Sequence, residues 1–185
     1  MTLDKILPFA RYLLEKAIAV GEEVVDATCG NGHDTVFLSN LVGTEGRVYA
    51  FDVQKVAIQT TSNKLNEAGI TNVDLILDGH EHVLKYVDSE ISAAIFNLGY
   101  LPGSDKKTTT KGVTTWIAVV DILSLLKVGG LVVLVIYHGH EEGKLERDYI
   151  EAAIKTLNVH ATSVLKYEFL NKVEAPYIIA IEKVE

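Results

Sequence analysis

The sequence predicts a doubly wound α/β domain with a seven-stranded sheet, mostly parallel, whose last strand is antiparallel. Short apolar runs rich in β-forming residues alternate along the chain with segments of helical periodicity. The run at 131–137 is almost continuously apolar, which is typical of a strand buried on both faces of a parallel sheet. No helix-length segment separates the last two strands. Because a parallel connection needs a crossover of that length, we expect the last strand to reverse.

The individual elements follow from the positions of these runs. Strands are predicted at 23–26, 47–52, 73–77, 93–96, 131–137, 162–169 and 178–184. Helices are predicted in the amphipathic start (residues 1–23) and at 34–41, 53–69, 113–128 and 143–157, with a short segment near 81–87. The helix at 53–69 is expected to end at Gly69 and the helix at 113–128 at Gly129-Gly130, since glycine favours helix ends.

Length and composition predict one domain, residues 1–185, of an ordinary globular class. Hydrophobic residues make up 48% and charged residues 23%, and no apolar run is long enough to cross a membrane. The charged, amphipathic start does not resemble a signal peptide, and the single Cys29 excludes a disulfide framework. We therefore expect a cytoplasmic protein. Its net charge of −8 argues against a nucleic-acid coat protein but is compatible with a local basic patch.

Three successive predicted strands end in an aspartate, at Asp26, Asp52 and Asp78. Ligands of doubly wound sheets bind outside the carboxyl ends of the strands, so these residues are candidates for a site. Gly30 and Gly32 follow the first strand, and an acid about 20 residues beyond such glycines suits the hydroxyls of a ribose. The dinucleotide fingerprint is broken at Thr35, and no P-loop tripeptide occurs. Taken singly, each aspartate is also typical of a helix cap, and the glycines of a tight turn.

Together these motifs resemble the class I S-adenosylmethionine-dependent methyltransferases. Those enzymes carry an acid and a G-x-G-x-G turn after the first strand, an acid after each of the next two strands, and a seventh strand inserted between the fifth and sixth. The strings DATCGNGHDT, FDVQ, DGHE and FNLGYLPGSDK resemble a smaller group, the putative rRNA methylases, over the whole chain. Characterised members of that group methylate the aminomethyl group on the wobble uridine of bacterial tRNA. The sequence departs from the class pattern at Thr28, where a glycine is usual.

The resemblance implies S-adenosylmethionine as cofactor and assigns its binding residues. Asp26 would accept from the ammonium of the methionine part, directly or through water, and Asp52 would hold the ribose hydroxyls. Asp78 would accept from the amine of adenine. Asp34 and Thr35 begin the next helix and would serve as cap, as ligand contact or as both. The full predicted set is Asp26, Gly30, Asn31, Gly32, Asp34, Thr35, Asp52, Gln54, Asp78, Gly79 and His80.

The end of the fourth strand is the candidate place for catalysis. Asn97 and Tyr100 keep the spacing of the Asn/Asp-Pro-Pro-Tyr/Phe motif of amino-directed methyltransferases, with Leu98-Gly99 in place of the prolines. The Asn97 carbonyl oxygen can accept the hydrogens of an amine and aim its lone pair, and Tyr100 could stack on a base. His138, at the end of the fifth strand, is either a proton acceptor for that amine or a hydrogen-bonded loop histidine.

Two further patterns leave alternatives open. The pairs His80/His82 and His138/His140 have metal-ligand spacing, but complete hydrolase motifs are absent, so we predict no metal site. Lysines and an arginine near the predicted site could bind the phosphates of a tRNA anticodon loop or form an ordinary surface: Lys106, Lys107, Lys111, Lys144 and Arg147. Competing functions are methylation of rRNA or of a small molecule, NAD binding, and a cofactor-binding subunit without activity. The oligomeric state stays open between monomer and homodimer.

Overall fold

The computed structural model describes residues 2–99 and 110–185, and it confirms the predicted sheet of seven strands. Along the chain the strands are β1 (Glu23–Asp26), β2 (Arg47–Phe51), β3 (Val73–Ile76), β4 (Ile91–Leu98), β5 (Leu126–Ile136), β6 (Thr162–Tyr167) and β7 (Tyr177–Lys183). Within the sheet they lie side by side in the order β3-β2-β1-β4-β5-β7-β6. The helices are α1 (Ile6–Ala17), α2 (His33–Val42), α3 (Lys55–Glu67), α4 (Gly112–Leu125) and α5 (Glu141–Ile154), with a 3₁₀ helix at His80–Lys85.

Strand β7 is the only reversed strand among these seven. It pairs antiparallel with β5 on one side and with β6 on the other, whereas the pairs among β1 to β5 are parallel. The turn between β6 and β7 is too short for a crossover helix, which is the physical reason for the reversal. The antiparallel seventh strand agrees with the expectation from the sequence, and its insertion between the fifth and sixth strands agrees with what the family resemblance implies.

The boundary between α4 and β5 differs from the prediction of a helix over 113–128. Helix α4 ends at Leu125, and residues Leu126–Gly130 already belong to β5, with Leu126 paired to Ile91 of β4. The register shifts between Ile91 and Ala93, and Gly129 adopts a φ of +79°. The two glycines therefore do not end the helix. They allow an irregular turn within the strand, a conformation that glycine adopts readily.

Apolar side chains on the two faces of the sheet form two core layers. On one face Leu14 of α1 and Leu38 of α2 pack over β1, β4 and β5. On the other face Ile122 of α4 and Ile150 of α5 join one cluster with residues of β4, β5 and β7. Since the central strands are covered on both faces, the sites left for polar chemistry are the loops at the strand ends. None of the described helices is long and apolar enough to cross a membrane.

Candidate cofactor and methyl-acceptor site

A cavity of about 1290 Å³ opens at the carboxyl ends of β1 to β5. This volume exceeds the roughly 300–1,000 Å³ of common small-molecule pockets, so it offers room for a cofactor and part of a second ligand. Most predicted site residues line it: Gly30, Asn31, Asp34, Asp52, Gln54, Asp78, Gly79, His80, Asn97 and His138. Asp26, Gly32 and Thr35 do not line it, and Tyr100 lies outside the described residues.

The turn between β1 and α2 forms the floor of this strand-end cavity. Gly30 and Gly32 have φ angles of +50° and +76°, which favour glycine. A Cβ on Gly32 would lie 2.8 Å from the Thr61 hydroxyl of α3, which itself donates to the Gly30 carbonyl at 2.9 Å. Thr28 occupies the place of the usual first glycine, and its hydroxyl accepts from the Asn97 backbone N–H at 2.7 Å. The departure at Thr28 therefore ties the turn to the end of β4.

Asp26 lies behind the cavity wall rather than on it. Its side chain is fully buried and accepts from the Thr35 hydroxyl at 2.6 Å and from the Thr28 backbone N–H at 3.2 Å. Burial, together with the negative charge of Asp34, raises the pKa of Asp26 to about 7. Thr35 is thus occupied as a partner of Asp26 and does not reach the cavity. A contact of Asp26 with a ligand ammonium stays a prediction, and in this geometry an intervening group would be needed.

Asp52 is held rigidly at the cavity edge by backbone groups. One oxygen accepts from the Gly30 N–H at 3.0 Å and the other from the Gln54 N–H at 2.9 Å. Burial raises its pKa above the ordinary value, although both backbone hydrogen bonds and His80 oppose the shift. A carboxylate has about four acceptor positions, so positions remain for two further donors such as vicinal hydroxyls.

Asp78 and His80 lie after the third strand and differ in how far their side chains are already hydrogen-bonded. The Asp78 carboxylate accepts from the His82 ring at 2.8 Å and from the Tyr86 hydroxyl at 2.9 Å, and the bond from His82 is the main reason that its pKa falls to about 2. His80 is buried, and its Nδ1 donates to the Ala27 carbonyl at 2.9 Å. Burial lowers the pKa of His80, and its Nε2 has no hydrogen-bond partner among the described residues. Neutral His80 lines the cavity, and its buried Nε2 is therefore an acceptor without a partner among the described residues.

Asn97 is anchored at the end of β4 by Asp34, which Arg11 holds in turn, and neither contact was predicted from the sequence. Its side-chain NH₂ donates to Asp34 Oδ2 at 2.8 Å, and Arg11 of α1 holds Asp34 Oδ1 at 2.9 Å. Arg11 was missed by the sequence analysis because a charge on an amphipathic helix is ordinary. Only the fold brings it within reach of a residue 23 positions away.

His138 follows β5 and lines the cavity in a fixed orientation. Its Nε2 lies 3.0 Å from the Ala175 carbonyl, which can only accept, so Nε2 carries the hydrogen. In the neutral ring Nδ1 then keeps the lone pair. Glu174, next to Ala175, also lines the cavity and has the unusual φ of +54° for a non-glycine residue. Both alternatives for His138 are thus compatible with its contacts.

A second group missed from the sequence is Glu146, which does not line the cavity but contacts Thr110, which does. Glu146 of α5 is buried, and its two oxygens accept from the hydroxyls of Thr110 at 2.6 Å and Thr115 at 2.8 Å. The Thr110 hydroxyl in turn accepts from the Gly99 N–H at 2.9 Å. Burial raises the pKa of Glu146, and the two threonine hydroxyls oppose that shift. Glu146 thereby connects α5, α4 and the end of β4.

Two of the cations predicted to bind RNA are paired with acidic neighbours. Lys144 lies 3.0 Å from Glu141, and Arg147 lies 2.7 Å from Asp148. Lys111 lines the cavity and has no ion pair within the described residues. Lys106 and Lys107 lie outside the described residues. Across residues 2–99 and 110–185, no group of three His, Cys, Asp or Glu side chains is placed to hold a metal ion.

The residues present fit S-adenosylmethionine, which combines a ribose, an adenine and an amino-acid part. Asp52 offers fixed acceptors for two hydroxyls, and the glycine turn offers close backbone approach. His80 adds a buried acceptor that has no partner within residues 2–99 and 110–185. A cavity at the strand ends of a doubly wound sheet with this donor and acceptor set suits a cofactor that contains a ribose. Together with the family and the relatives that follow, it identifies an S-adenosylmethionine-dependent methyltransferase. The chain belongs to the Putative rRNA methylase family, whose model matches residues 48–183. The model of the protein-L-isoaspartate(D-aspartate) O-methyltransferases matches residues 5–86.

Individual relatives agree with this family. The chain is 36% identical over 192 residues to the chloroplastic tRNA (mnm(5)s(2)U34)-methyltransferase of Arabidopsis thaliana, a match that covers 98% of this chain and 70% of that protein. The structure of a putative rRNA methylase from Clostridium thermocellum superposes with a TM-score of 0.97 at 38% identity, with 100% of each chain covered. A putative methyltransferase from Streptococcus mutans, solved in complex with SAH, has a TM-score of 0.92 and 39% identity, with 99% of this chain and 100% of that chain covered.

Proposed function

We propose that this protein methylates an amine on RNA, and that its substrate is the 5-aminomethyl group, with or without 2-thiolation, of the wobble uridine in tRNA. The observation that carries the proposal is the side-chain amide of Asn97, held at the cavity by Asp34. Asp34 fixes the NH₂ end, so the carbonyl oxygen is left to accept hydrogens from a substrate amine. The family, and a relative whose name specifies a modified uridine at tRNA position 34, support the choice of substrate.

The residues that would hold the cofactor are those of the first three strand ends. Asp52 would accept from the ribose hydroxyls beside Gln54, and Gly30 and Asn31 would lie along the ribose and amino-acid parts. Asp78, Gly79 and His80 would surround the adenine. In that arrangement Asp26, Gly32 and Thr35 act from behind the wall by shaping the turn between β1 and α2. When bound, the cofactor supplies an electrophilic methyl group on its sulfonium.

The chain's own residues would prepare the amine for reaction. A primary alkylamine is mostly protonated at neutral pH and must lose a proton before its lone pair is available. The lone pair at Nδ1 of neutral His138 is the candidate acceptor of that proton, since Nε2 is committed to Ala175. The Asn97 carbonyl oxygen would then accept an amine N–H and orient the nitrogen. Tyr100, outside the described residues, remains the proposed stacking partner of the base.

Mass spectrometry of nucleosides tests the proposal. Bulk tRNA from a strain that lacks the gene is incubated with the protein and S-adenosylmethionine, digested and analysed. We expect a methyl group to appear on 5-aminomethyluridine or its 2-thio form, and much less product, though a measurable amount, with Asn97→Ala. A methyl group on rRNA or on a small metabolite would contradict the substrate and keep the reaction class. Binding of the cofactor without turnover on any RNA would favour a subunit that serves a partner enzyme.

A further inference from the structure

We propose that Arg11 and Asp34 are positioning residues that fix the orientation of the Asn97 amide and thereby create the acceptor for the substrate amine. The inference rests on the proposed methylation of an amine and adds two residues from α1 and α2 to it. The three side chains form a chain of contacts: Arg11 Nη2 to Asp34 Oδ1 at 2.9 Å, and Asn97 Nδ2 to Asp34 Oδ2 at 2.8 Å. All three residues line the strand-end cavity.

The orientation of the Asn97 amide follows from the chemistry of its partner. An ionised carboxylate has no hydrogen to donate, so only the NH₂ end of the amide can face Asp34 Oδ2. A flipped amide would place its carbonyl oxygen against the carboxylate and lose a charge-assisted hydrogen bond. The Asn97 backbone N–H donates to the Thr28 hydroxyl at 2.7 Å, which holds the main chain as well. Among the described residues, the side-chain oxygen Oδ1 of Asn97 accepts no hydrogen bond.

Arg11 fixes the position of the Asp34 carboxylate through two hydrogen bonds. Its Nε and Nη2 both approach Asp34 Oδ1, at 3.3 and 2.9 Å, and leave Oδ2 to Asn97. The guanidinium also lies over the Phe37 ring, with its carbon 4.9 Å from the ring centre. Asp34 itself sits in the first turn of α2, where the helix dipole favours a negative charge. The carboxylate is thus held on its own helix and by α1, so that its second oxygen can orient the residue that touches substrate.

Nuclear magnetic resonance tests the orientation without any substrate. In ¹⁵N-labelled protein the Asn97 side-chain signal is assigned by its loss in Asn97→Ala, and its hydrogen exchange with water is measured. We expect Arg11→Gln and Asp34→Asn to accelerate that exchange by about 10- to 100-fold, the factor expected for a hydrogen bond to a charged group. The matched control is Arg47→Gln, which removes the surface ion pair with Asp74 at 3.5 Å and should leave the Asn97 signal unchanged.

The kinetics of methyl transfer to the tRNA substrate then test whether the orientation of the Asn97 amide affects the reaction rate. Arg11→Gln should lower kcat by about 10- to 100-fold through misplacement of the acceptor, while KM and the dissociation constant for S-adenosylhomocysteine change little. In an Asn97→Ala background the same change should cost nothing further, because Arg11 acts through Asn97. Arg11→Lys, which keeps the charge, should recover part of the rate.

The outcomes separate this inference from the proposed function. If the natural chain methylates no RNA, the proposed function fails, and the exchange of the Asn97 amide still decides whether Arg11 and Asp34 orient it. Fast exchange in the natural chain, or rates that multiply in the double variant, would overturn the positioning role. Weaker cofactor binding with an unchanged kcat would also overturn it, by making Arg11 a cofactor contact instead.

Discussion

Thr28 illustrates how a single residue departs from a motif and takes on a different contact. The class pattern expects glycine there, yet Thr28 is compatible with the turn because the positive φ angles fall on Gly30 and Gly32. Its hydroxyl instead accepts from the N–H of Asn97, and its own N–H donates to Asp26. One side chain therefore links the strand end that would bind the cofactor to the one that would bind the methyl acceptor.

Asp52→Asn should weaken the binding of S-adenosylhomocysteine by about 10- to 100-fold. The reason is that a hydrogen bond to a charged group contributes about 1.5–3 kcal/mol, and an amide has only one accepting oxygen. The Gly30 and Gln54 N–H groups would also compete for that oxygen. Isothermal titration measures the affinity, with Asp74→Asn on the outer surface as the control. Equal affinities would place the ribose elsewhere in the cavity.

Asp26 should make the stability of the protein depend on pH. Its pKa rises from the ordinary 3.8 to about 7 in the folded state because the side chain is buried. Between these values the unfolded chain releases a proton that the folded chain retains. The free energy of unfolding should therefore fall as the pH rises, by about 1.4 kcal/mol per unit, and level off above pH 7. Urea unfolding of the natural chain and of Asp26→Asn isolates this effect as the difference between the two. A difference that is constant from pH 4 to 7 would contradict it.

At the scale of elements, the turn between β1 and α2 has a glycine with a positive φ that also packs closely against helix α3. Gly32→Ala should destabilise the fold more than Gly21→Ala, because both residues have a positive φ but only Gly32 also faces a neighbour. A Cβ on Gly21 meets nothing within 4 Å, whereas one on Gly32 meets Thr61 at 2.8 Å. We expect a cost of about 1–3 kcal/mol from φ for either variant and an additional cost for Gly32 alone. Urea unfolding measures both, and equal costs would mean that α3 shifts freely.

The contacts of Glu146 with two threonines should contribute to the packing of α4 against α5. Thr115→Val removes the hydroxyl that donates to one oxygen of this buried carboxylate. We expect a loss of about 1–3 kcal/mol in the free energy of unfolding, since a buried acceptor is left without its partner. Thr156→Val serves as the control, because the Thr156 hydroxyl is exposed and donates to the backbone carbonyl of Ala153 at the surface. Similar losses for the two variants would show that Glu146 is satisfied by other groups.

These elements also show which parts of the molecule could be predicted from the sequence. Alternating apolar runs indicated all seven strands, and Asp52, Asp78 and Asn97 were placed at strand ends because parallel strands end at one edge. The start of β5 could not be predicted, since the apolar residues of α4 continue into it past Ser124 and Lys127 with a spacing that also suits a helix. Arg11 and Glu146 were also missed. Their partners lie 23 and 31–36 residues away, so periodicity along one helix carries no information about them.

For the whole molecule, the balance of charge restricts how RNA can be held. A net charge of −8 repels a phosphate backbone at long range, so binding must depend on few local contacts. Carboxylates already engage Arg11, which lines the cavity, and two residues of the patch predicted from the sequence, Lys144 and Arg147. Within the described part of the chain Lys111 lines the cavity without an ion pair. The described part of the patch predicted from the sequence therefore has fewer unpaired cations than its number of basic residues suggests.

RNA binding should accordingly depend only weakly on salt. Each phosphate contact to a single strand contributes a slope of roughly −0.7 in a plot of log affinity against log salt, so two or three contacts predict a slope near −2. Lys111→Ala should make the slope shallower by about 0.7, and replacing Lys106 and Lys107 should make it shallower still. The control is Lys155→Ala, since this exposed lysine follows α5 at the end remote from the strand-end cavity. Titration of an anticodon stem-loop at several salt concentrations measures the slopes. A steep slope that none of these lysines alters would place the RNA on another face of the molecule, because among the described lysines and arginines that line the cavity Lys111 alone lacks an ion pair.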